Sequence, residues 1–249
     1  MGRLTALKPS AARNPLGGPL VHLDVTGSTN DVARALAAAG TPAGTVVLAE
    51  EQTAGRGRQG RAWVAPRGRA LTLSAVVRAN PGALGLLPLT AAVAVCEACE
   101  RTAPVECFVK WPNDVWIGER KVAGILIEAR PQEGWAVVGI GLNVATTTEE
   151  LPAELRDTAT SLAIATGAEV DRATVLGTLL DRLADWVPSD RDRLLAAYRA
   201  RDALYGRTIE WAAGEGEARG IDEEGNLVVF RADGEQVVLR AGEVHLLGS

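Results

Sequence analysis

One stretch constrains the fold more than any other, Gly55-Arg56-Gly57-Arg58-Gln59-Gly60-Arg61-Ala62-Trp63. Glycine lets a backbone take conformations closed to other residues and approach a ligand closely. Arginine brings permanent charge and a fork of donors matched to phosphate and carboxylate. Thr45–Ala49 before it is a β-branched run that reads as a buried strand, and Leu71–Arg78 after it reads as another. The run is therefore a loop carried between two strands. In a chain of net charge −5 such a knot of cations is out of character and looks built to close over an anion. Taken alone it is also compatible with an RGG-like segment that binds RNA through charge, or with a solvated loop.

The acidic balance opposes general binding to nucleic acid or to an anionic membrane. No apolar run of signal-peptide length is expected in residues 1–18, and the longest apolar stretch, Ala83–Cys99, is interrupted by Gly85, Pro88, Thr90 and Glu97. Cys96, Cys99 and Cys107 are an odd set, which fits a reduced cytoplasm. The C-x-x-C pair could suggest metal or redox chemistry, but no second pair or neighbouring histidine supports zinc. The expectation is small cysteines packed as hydrophobes on a helix.

Residues 1–18 read as a mobile or loosely docked arm, and 1–19 as a segment outside the main domain. Leu20–Asp24 is a strand candidate, followed by a helix over Asp31–Ala39 with Ser28, Thr29 and Asn30 as cap candidates. A helix is expected over Leu84–Arg101, then strands at Cys107–Lys110, Asp114–Ile117, Lys121–Ala129 and Trp135–Leu142, with a hairpin turn at Gly118-Glu119-Arg120. Residues 172–187 and 190–203 have helical periodicity. Beyond Tyr205-Gly206 come four short strands, Thr208–Ala212, Gly216–Ile221, Leu227–Arg231 and Gln236–Arg240, with turns at Asp222–Asn226 and Ala232–Gly234. The whole predicts an α+β domain over 20–203 and a small β-barrel-like module over 204–249, too small to fold comfortably alone.

Two further clusters could carry chemistry. In Lys110-Trp-Pro-Asn-Asp-Val-Trp116, Pro112 forces an extended or turn form, and Asn113 and Asp114 offer oxygens at a bend, suited to Mg²⁺ or a ribose hydroxyl. Lys121 then heads an apolar strand, either at the mouth of a slot or as an ordinary strand-edge charge. In Val137–Val144 the alternating Gly139 and Gly141 suggest close approach by a ligand or a backbone, or else a bulge, and Asn143 ends the strand.

Together, Ser28-Thr-Asn30, Glu51–Trp63, Lys110-Trp-Pro-Asn-Asp114, Arg120–Glu128 and Gly139–Val144 are similar in order and spacing to biotin–protein ligases of the short form, without a DNA-binding domain. The resemblance covers about residues 20–249. It implies a catalytic domain like the core of class II aminoacyl-tRNA synthetases with an SH3-like C-terminal domain. It also implies activation of biotin by ATP to biotinyl-5′-AMP and transfer to a lysine of a biotin carboxyl carrier domain of acyl-CoA or pyruvate carboxylases. No DNA, membrane or repressor role is expected, and the protein would be a cytoplasmic monomer or homodimer.

By the same resemblance, Lys121, Arg58 and Asp114 are catalytic. Ser28, Thr29, Asn30, Gln52, Gly55, Arg56, Gly57, Arg58, Trp63, Lys121 and Gly124 bind biotin. Arg56, Arg58, Lys110, Asn113, Asp114, Lys121 and Asn143 bind ATP or adenylate, with Asp114 holding Mg²⁺. Two anions must meet, so cations must neutralise them. The mixed anhydride must also be kept from water, which suits a loop that orders over it. A lipoate ligase or octanoyltransferase of the same superfamily, and a non-catalytic RNA-binding protein, are the alternatives.

Overall fold

The computed structural model describes residues 8–9, 14–78 and 81–247. Its larger sheet has eight strands: β1 (Lys8–Pro9), β2 (Leu20–Thr26), β3 (Val46–Gln52), β4 (Ala70–Val77), β5 (Phe108–Lys110), β6 (Asp114–Ile117), β7 (Arg120–Arg130) and β8 (Trp135–Asn143). They lie in the order β1-β2-β3-β4-β8-β7-β6-β5. Only β2 and β3 run parallel, because the helix α1 (Thr29–Ala38) and the turn after it carry the chain back between them.

Both faces of the sheet are covered. Alternate residues of a strand point to opposite faces, and on β8 Val138, Ile140 and Leu142 join the main core while Val137 joins a smaller cluster with Ala33 and Ala37 of α1. The main core is closed by α2 (Leu87–Thr102), α4 (Arg172–Trp186) and α5 (Arg191–Arg199), with the short α3 (Leu162–Thr166) beside them. Every residue of β4 is buried, as befits a central strand with a helix layer on each side. Among the described residues no helix is long and apolar enough to cross a membrane.

The second sheet is antiparallel, in the order β12-β11-β10-β9-β13, from β9 (Thr208–Trp211), β10 (Gly214–Ile221), β11 (Leu227–Phe230), β12 (Gln236–Leu239) and β13 (His245–Leu246). It packs on the larger unit: Ile209, Ala218, Leu227 and Val229 belong to the same core cluster as α2, and the indole of buried Trp111 donates to Gly225 O across the junction, 3.0 Å.

Several boundaries differ from expectation. The helix expected at Asp31 begins at Thr29, and Ser28 occupies its N-cap position without a side-chain capping bond. The helix expected from Leu84 begins at Leu87, after a 3₁₀ segment over Pro81–Leu86, because Pro88 fits only a first turn. Residues 1–7 and 10–13 of the expected arm lie outside the described residues. Its remainder is docked: Lys8 and Pro9 pair with His22 and Val21, and Asn14 Nδ2 donates to Gly18 O and Gly44 O. The three cysteines are free and buried on and beside α2, as expected, and burial pushes the Cys96 thiol up.

Candidate functional site

The site lies on the α1 face of the large sheet, between the ends of β7 and β8. Its floor is made of glycine. Gly124 of β7 pairs with Gly141 of β8, and Gly139 lies between Leu126 of β7 and Ser74 of β4. The register runs through these positions without a bulge. The glycines are therefore there for space. A Cβ on Gly139 would stand 2.2 Å from Asn30 Oδ1, and one on Gly141 2.3 Å from the Trp63 indole. One on Gly124 would meet Lys121 Nζ at 3.1 Å and Trp63 at 3.2 Å. Side chains thus lie directly on bare backbone, Asn30 over Gly139 and Trp63 over Gly124 and Gly141, so the slot between sheet and loop is filled by these two side chains, with a small pocket beside Trp63 lined by Gln52, Ala70 and Thr72.

One end of the slot is neutral and polar. Ser28, Thr29 and Asn30 open α1 and are 3–4% exposed, so their polar atoms must find partners. Gln52 Oε1 accepts from Thr29 N at 2.7 Å and lies 3.0 Å from Thr29 Oγ1. Ser74 Oγ sits 2.8 Å from Thr29 Oγ1 and 2.6 Å from Asn30 Oδ1. Asn30 Nδ2 donates to Glu128 Oε2 at 2.8 Å. Asn30 is thereby used in both directions, which fixes which way its amide faces. Ser28 has no capping bond, so its hydroxyl is not committed to the helix end.

The other end is charged. Lys121 Nζ lies 2.7 Å from Asp114 Oδ1 and 5.9 Å from the Trp63 ring centroid. Lys121 N donates to Thr158 O and Lys121 O accepts from Thr160 N, so a segment after β8 holds this strand end in place. Asn113 is bonded to β7 through Nδ2 to Ile125 O, 2.8 Å, and its Oδ1 accepts from Arg58 at 3.1 Å. Lys110 stands 5.1 Å from the Trp116 ring, and burial holds its ammonium below the usual lysine range. Asn143 is buried and donates to Thr160 O at 3.0 Å. One N–H of its amide is therefore engaged with the protein, leaving the second N–H and the oxygen for a ligand.

The Arg/Gly run is a small hairpin over the slot. Trp63 N donates to Gly55 O, Arg56 bridges Ala62, and Gly57 N donates to Arg61 O. The tip turns through Gln59 and Gly60, both with positive φ, +54° and +76°. Its three arginines have three different anchors. Arg56 makes a two-pronged pair with Asp31 of α1, 2.6 and 2.7 Å, and reaches Glu128 of β7 at 3.3 Å. Arg58 reaches Asn113, and Arg61 reaches Glu243 ahead of β13. The hydrogen bond from Arg56 holds the Asp31 carboxyl below its ordinary range. The guanidinium expected to bind ligand at Arg56 is thus taken up by two carboxylates, whereas that of Arg58 points into the charged end.

Of the sequence-predicted residues, Thr29 meets Gln52, Arg58 meets Asn113, Lys121 meets Asp114 and Trp63, Trp63 lies on Gly124, and Gly55, Arg56 and Gly57 form the hairpin stem; Ser28, Lys110 and Asn143 flank them along the chain or the strands. Asp31, Ser74, Glu128 and Glu243 are additional. Glu128 stood in a quoted motif without a role. Ser74 sits in an apolar strand, where only its pairing with Gly139 reveals it. Asp114 stands with a lysine rather than with other carboxylates, and among the described residues no group of three or more metal-ligating side chains could form a protein cage. A single carboxylate suits a magnesium ion that arrives on a nucleotide's phosphates.

Residues 23–144 match the Biotin/lipoate A/B protein ligase family, and residues 212–247 match the Biotin protein ligase C terminal domain. A biotin–[acetyl-CoA-carboxylase] ligase of Mycobacterium tuberculosis is 39% identical over 242 residues, covering 90% of this chain and 88% of its own. The bifunctional ligase/repressor BirA of Bacillus spizizenii is 34% identical, covering 91% of this chain and 74% of its own. The biotin protein ligase of Aquifex aeolicus, solved in complex with biotin and ATP, superimposes with a TM-score of 0.78 at 30% identity, over 92% of this chain and 99% of that one. With identity above 30% spread over nine-tenths of the chain, this chain belongs to the biotin–protein ligase family.

Proposed function

We propose that the chain is an ATP-dependent biotin–protein ligase. Biotin's carboxylate attacks the α-phosphorus of ATP, pyrophosphate leaves, and the carrier lysine then attacks the acyl carbon of biotinyl-5′-AMP and releases AMP. The observation that carries the reading is the polarity of the slot. A neutral cluster of Ser28, Thr29, Asn30, Gln52 and Ser74 lies at one end, Lys121, Arg58 and Lys110 lie at the other, and glycine backbone covered by the Trp63 indole lies between them. Biotin has that profile, with an uncharged ureido ring, an apolar chain and a carboxylate.

In this reading Lys121 and Arg58 neutralise the two anions that must meet, Asp114 orients Lys121 and receives the magnesium of ATP, and Asn143 offers its oxygen. Lys110 and Asn113 line the nucleotide side. Gly55 and Gly57 bring the hairpin backbone close, Trp63 walls the apolar chain against Gly124 and Gly141, and Arg56 secures the stem. The unit over 20–203 is the catalytic part, and the SH3-like unit over 204–249 packs on it and meets the hairpin through Glu243. The partner is a biotin carboxyl carrier domain in the cytoplasm, and the net charge of −5 disfavours DNA.

Purified protein incubated with ATP, Mg²⁺ and biotin is expected to release pyrophosphate and to transfer biotin to an added carrier domain. Formation of an AMP adduct with lipoate but not with biotin would overturn the assignment.

A further inference from the structure

Glu128 is bonded both to the polar end of the site and to the hairpin. Its Oε2 accepts from Asn30 Nδ2 at 2.8 Å and from Arg56 Nη2 at 3.3 Å, while Oε1 accepts from Arg34 at 3.1 Å. Asn30 Oδ1 in turn sits 2.6 Å from the Ser74 hydroxyl, which rises from the strand beside Gly139. A continuous chain therefore runs Ser74–Asn30–Glu128–Arg56, from the floor of the polar end to the stem of the hairpin. Asp31 completes it by gripping the other face of Arg56. The consequence is geometric. With its guanidinium held by two carboxylates from two elements, Arg56 anchors the stem of the hairpin to α1 and β7.

We propose that Glu128 is a positioning residue for the ligation reaction: it faces the Asn30 amide correctly for the polar end of the slot and pins the loop stem at Arg56, so that one carboxylate couples recognition of the neutral ring to closure over the adenylate. The inference rests on the biotin-ligase reading. Glu128 sits at the opposite end of β7 from Lys121, so its loss acts on biotin and on retention of the intermediate rather than on ATP.

The test compares Glu128→Ala, Glu128→Gln and Arg34→Ala with the wild-type chain. Three quantities are read: KM for biotin, KM for ATP, and the half-life of enzyme-held biotinyl-AMP. Glu128→Ala leaves a buried amide and a guanidinium short of a charged acceptor, which is worth about tenfold to a hundredfold. The expected result is a biotin KM raised and a half-life shortened by about that factor, with ATP KM unchanged. Glu128→Gln retains one carbonyl acceptor and falls between; it decides the matter by the same measures if the alanine variant does not fold. Arg34→Ala removes a cation paired with both Glu128 (3.1 Å) and Asp31 (3.5 Å) but leaves their bonds to Asn30 and Arg56 in place, so its defect is expected to be clearly smaller than that of Glu128→Ala. Wild-type biotin KM and half-life in both Glu128 variants overturns the inference, as does an Arg34→Ala variant that reproduces their defect. If the wild-type chain makes no biotinyl-AMP at all, the ligase reading falls and takes the inference with it.

Discussion

Arg61 Nη2 lies 2.5 Å from Glu243 Oε2, an ion pair that ties the tip half of the hairpin to the approach to β13 in the C-terminal sheet. Arg61 is 64% exposed at its side chain and Glu243 34%. An exposed pair of this kind contributes no more than about 1 kcal/mol to folding. Its consequence lies in where the hairpin rests. Glu243→Gln is expected to leave the thermal midpoint nearly unchanged and to shorten the lifetime of bound adenylate by about fivefold, the factor that 1 kcal/mol corresponds to. Trapping of released biotinyl-AMP by a bystander protein checks this. Unaltered retention would show that the hairpin closes without the C-terminal module.

Lys121→Ala removes the cation facing Asp114 at the charged end. Lys121 is partly exposed and its backbone is held by Thr158 and Thr160, so the strand should persist. Loss of one electrostatic contact to a reacting phosphate costs about 10²–10³ in rate. Pyrophosphate release should fall by that factor, with an unchanged circular dichroism spectrum. Release within a few fold of wild type would remove Lys121 from the chemistry.

Gly141→Ala tests the floor. The added methyl would stand 2.3 Å from the Trp63 ring, and Trp63 Nε1 is already buried with no partner among the described residues, so none of them holds the indole by a hydrogen bond. Overpacking of this kind costs about 1–3 kcal/mol. The indole is expected to lift from the strand, seen as a red-shifted tryptophan emission, and biotin affinity to fall about tenfold. Gly139→Ala should weaken biotin as well but leave the emission as it is, because its methyl meets Asn30, at 2.2 Å. Identical emission changes in both variants would mean that the indole does not rest on Gly141.

Much of this architecture is legible in the chain because the β-branched runs, glycine stops and caps agree with one another. Pro88 shows why boundaries slip: a proline can open a helix but not sit inside it, so the apolar pattern from Leu84 overruns the true start. The site is legible where chemistry needs rare patterns, as in the Arg/Gly run and Lys110–Asp114. It is not legible where one residue serves another across the sheet. Ser74 gains its place through strand register with Gly139, and Glu243 through the packing of a module nearly two hundred residues away from Arg61. Nor does charge alone tell which arginine faces a ligand; Arg56 and Arg58 differ only in what the fold sets opposite them.

Asp202 lies outside the slot, in the turn that leads from α5 toward the C-terminal sheet, and its pKa is pushed up to about 6 by burial. Oδ1 accepts from Leu204 N at 2.9 Å, but Oδ2 is buried with no partner among the described residues. A folded-state pKa raised above the unfolded value of 3.8 means that the native chain holds this proton more tightly. The effect is neutral to folding near pH 3, and stability is then lost as pH rises from about 4 through 6, reaching a penalty of at most about 3 kcal/mol above that window. Asp202→Asn keeps the acceptor for Leu204 and removes the charge. The variant is expected to unfold at a higher temperature than wild type at pH 7.5, and the two curves should converge toward pH 4. Calorimetric midpoints across that range check it. A variant less stable than wild type at pH 7.5 would show that the Asp202 carboxylate is satisfied after all, by a partner that charge attracts.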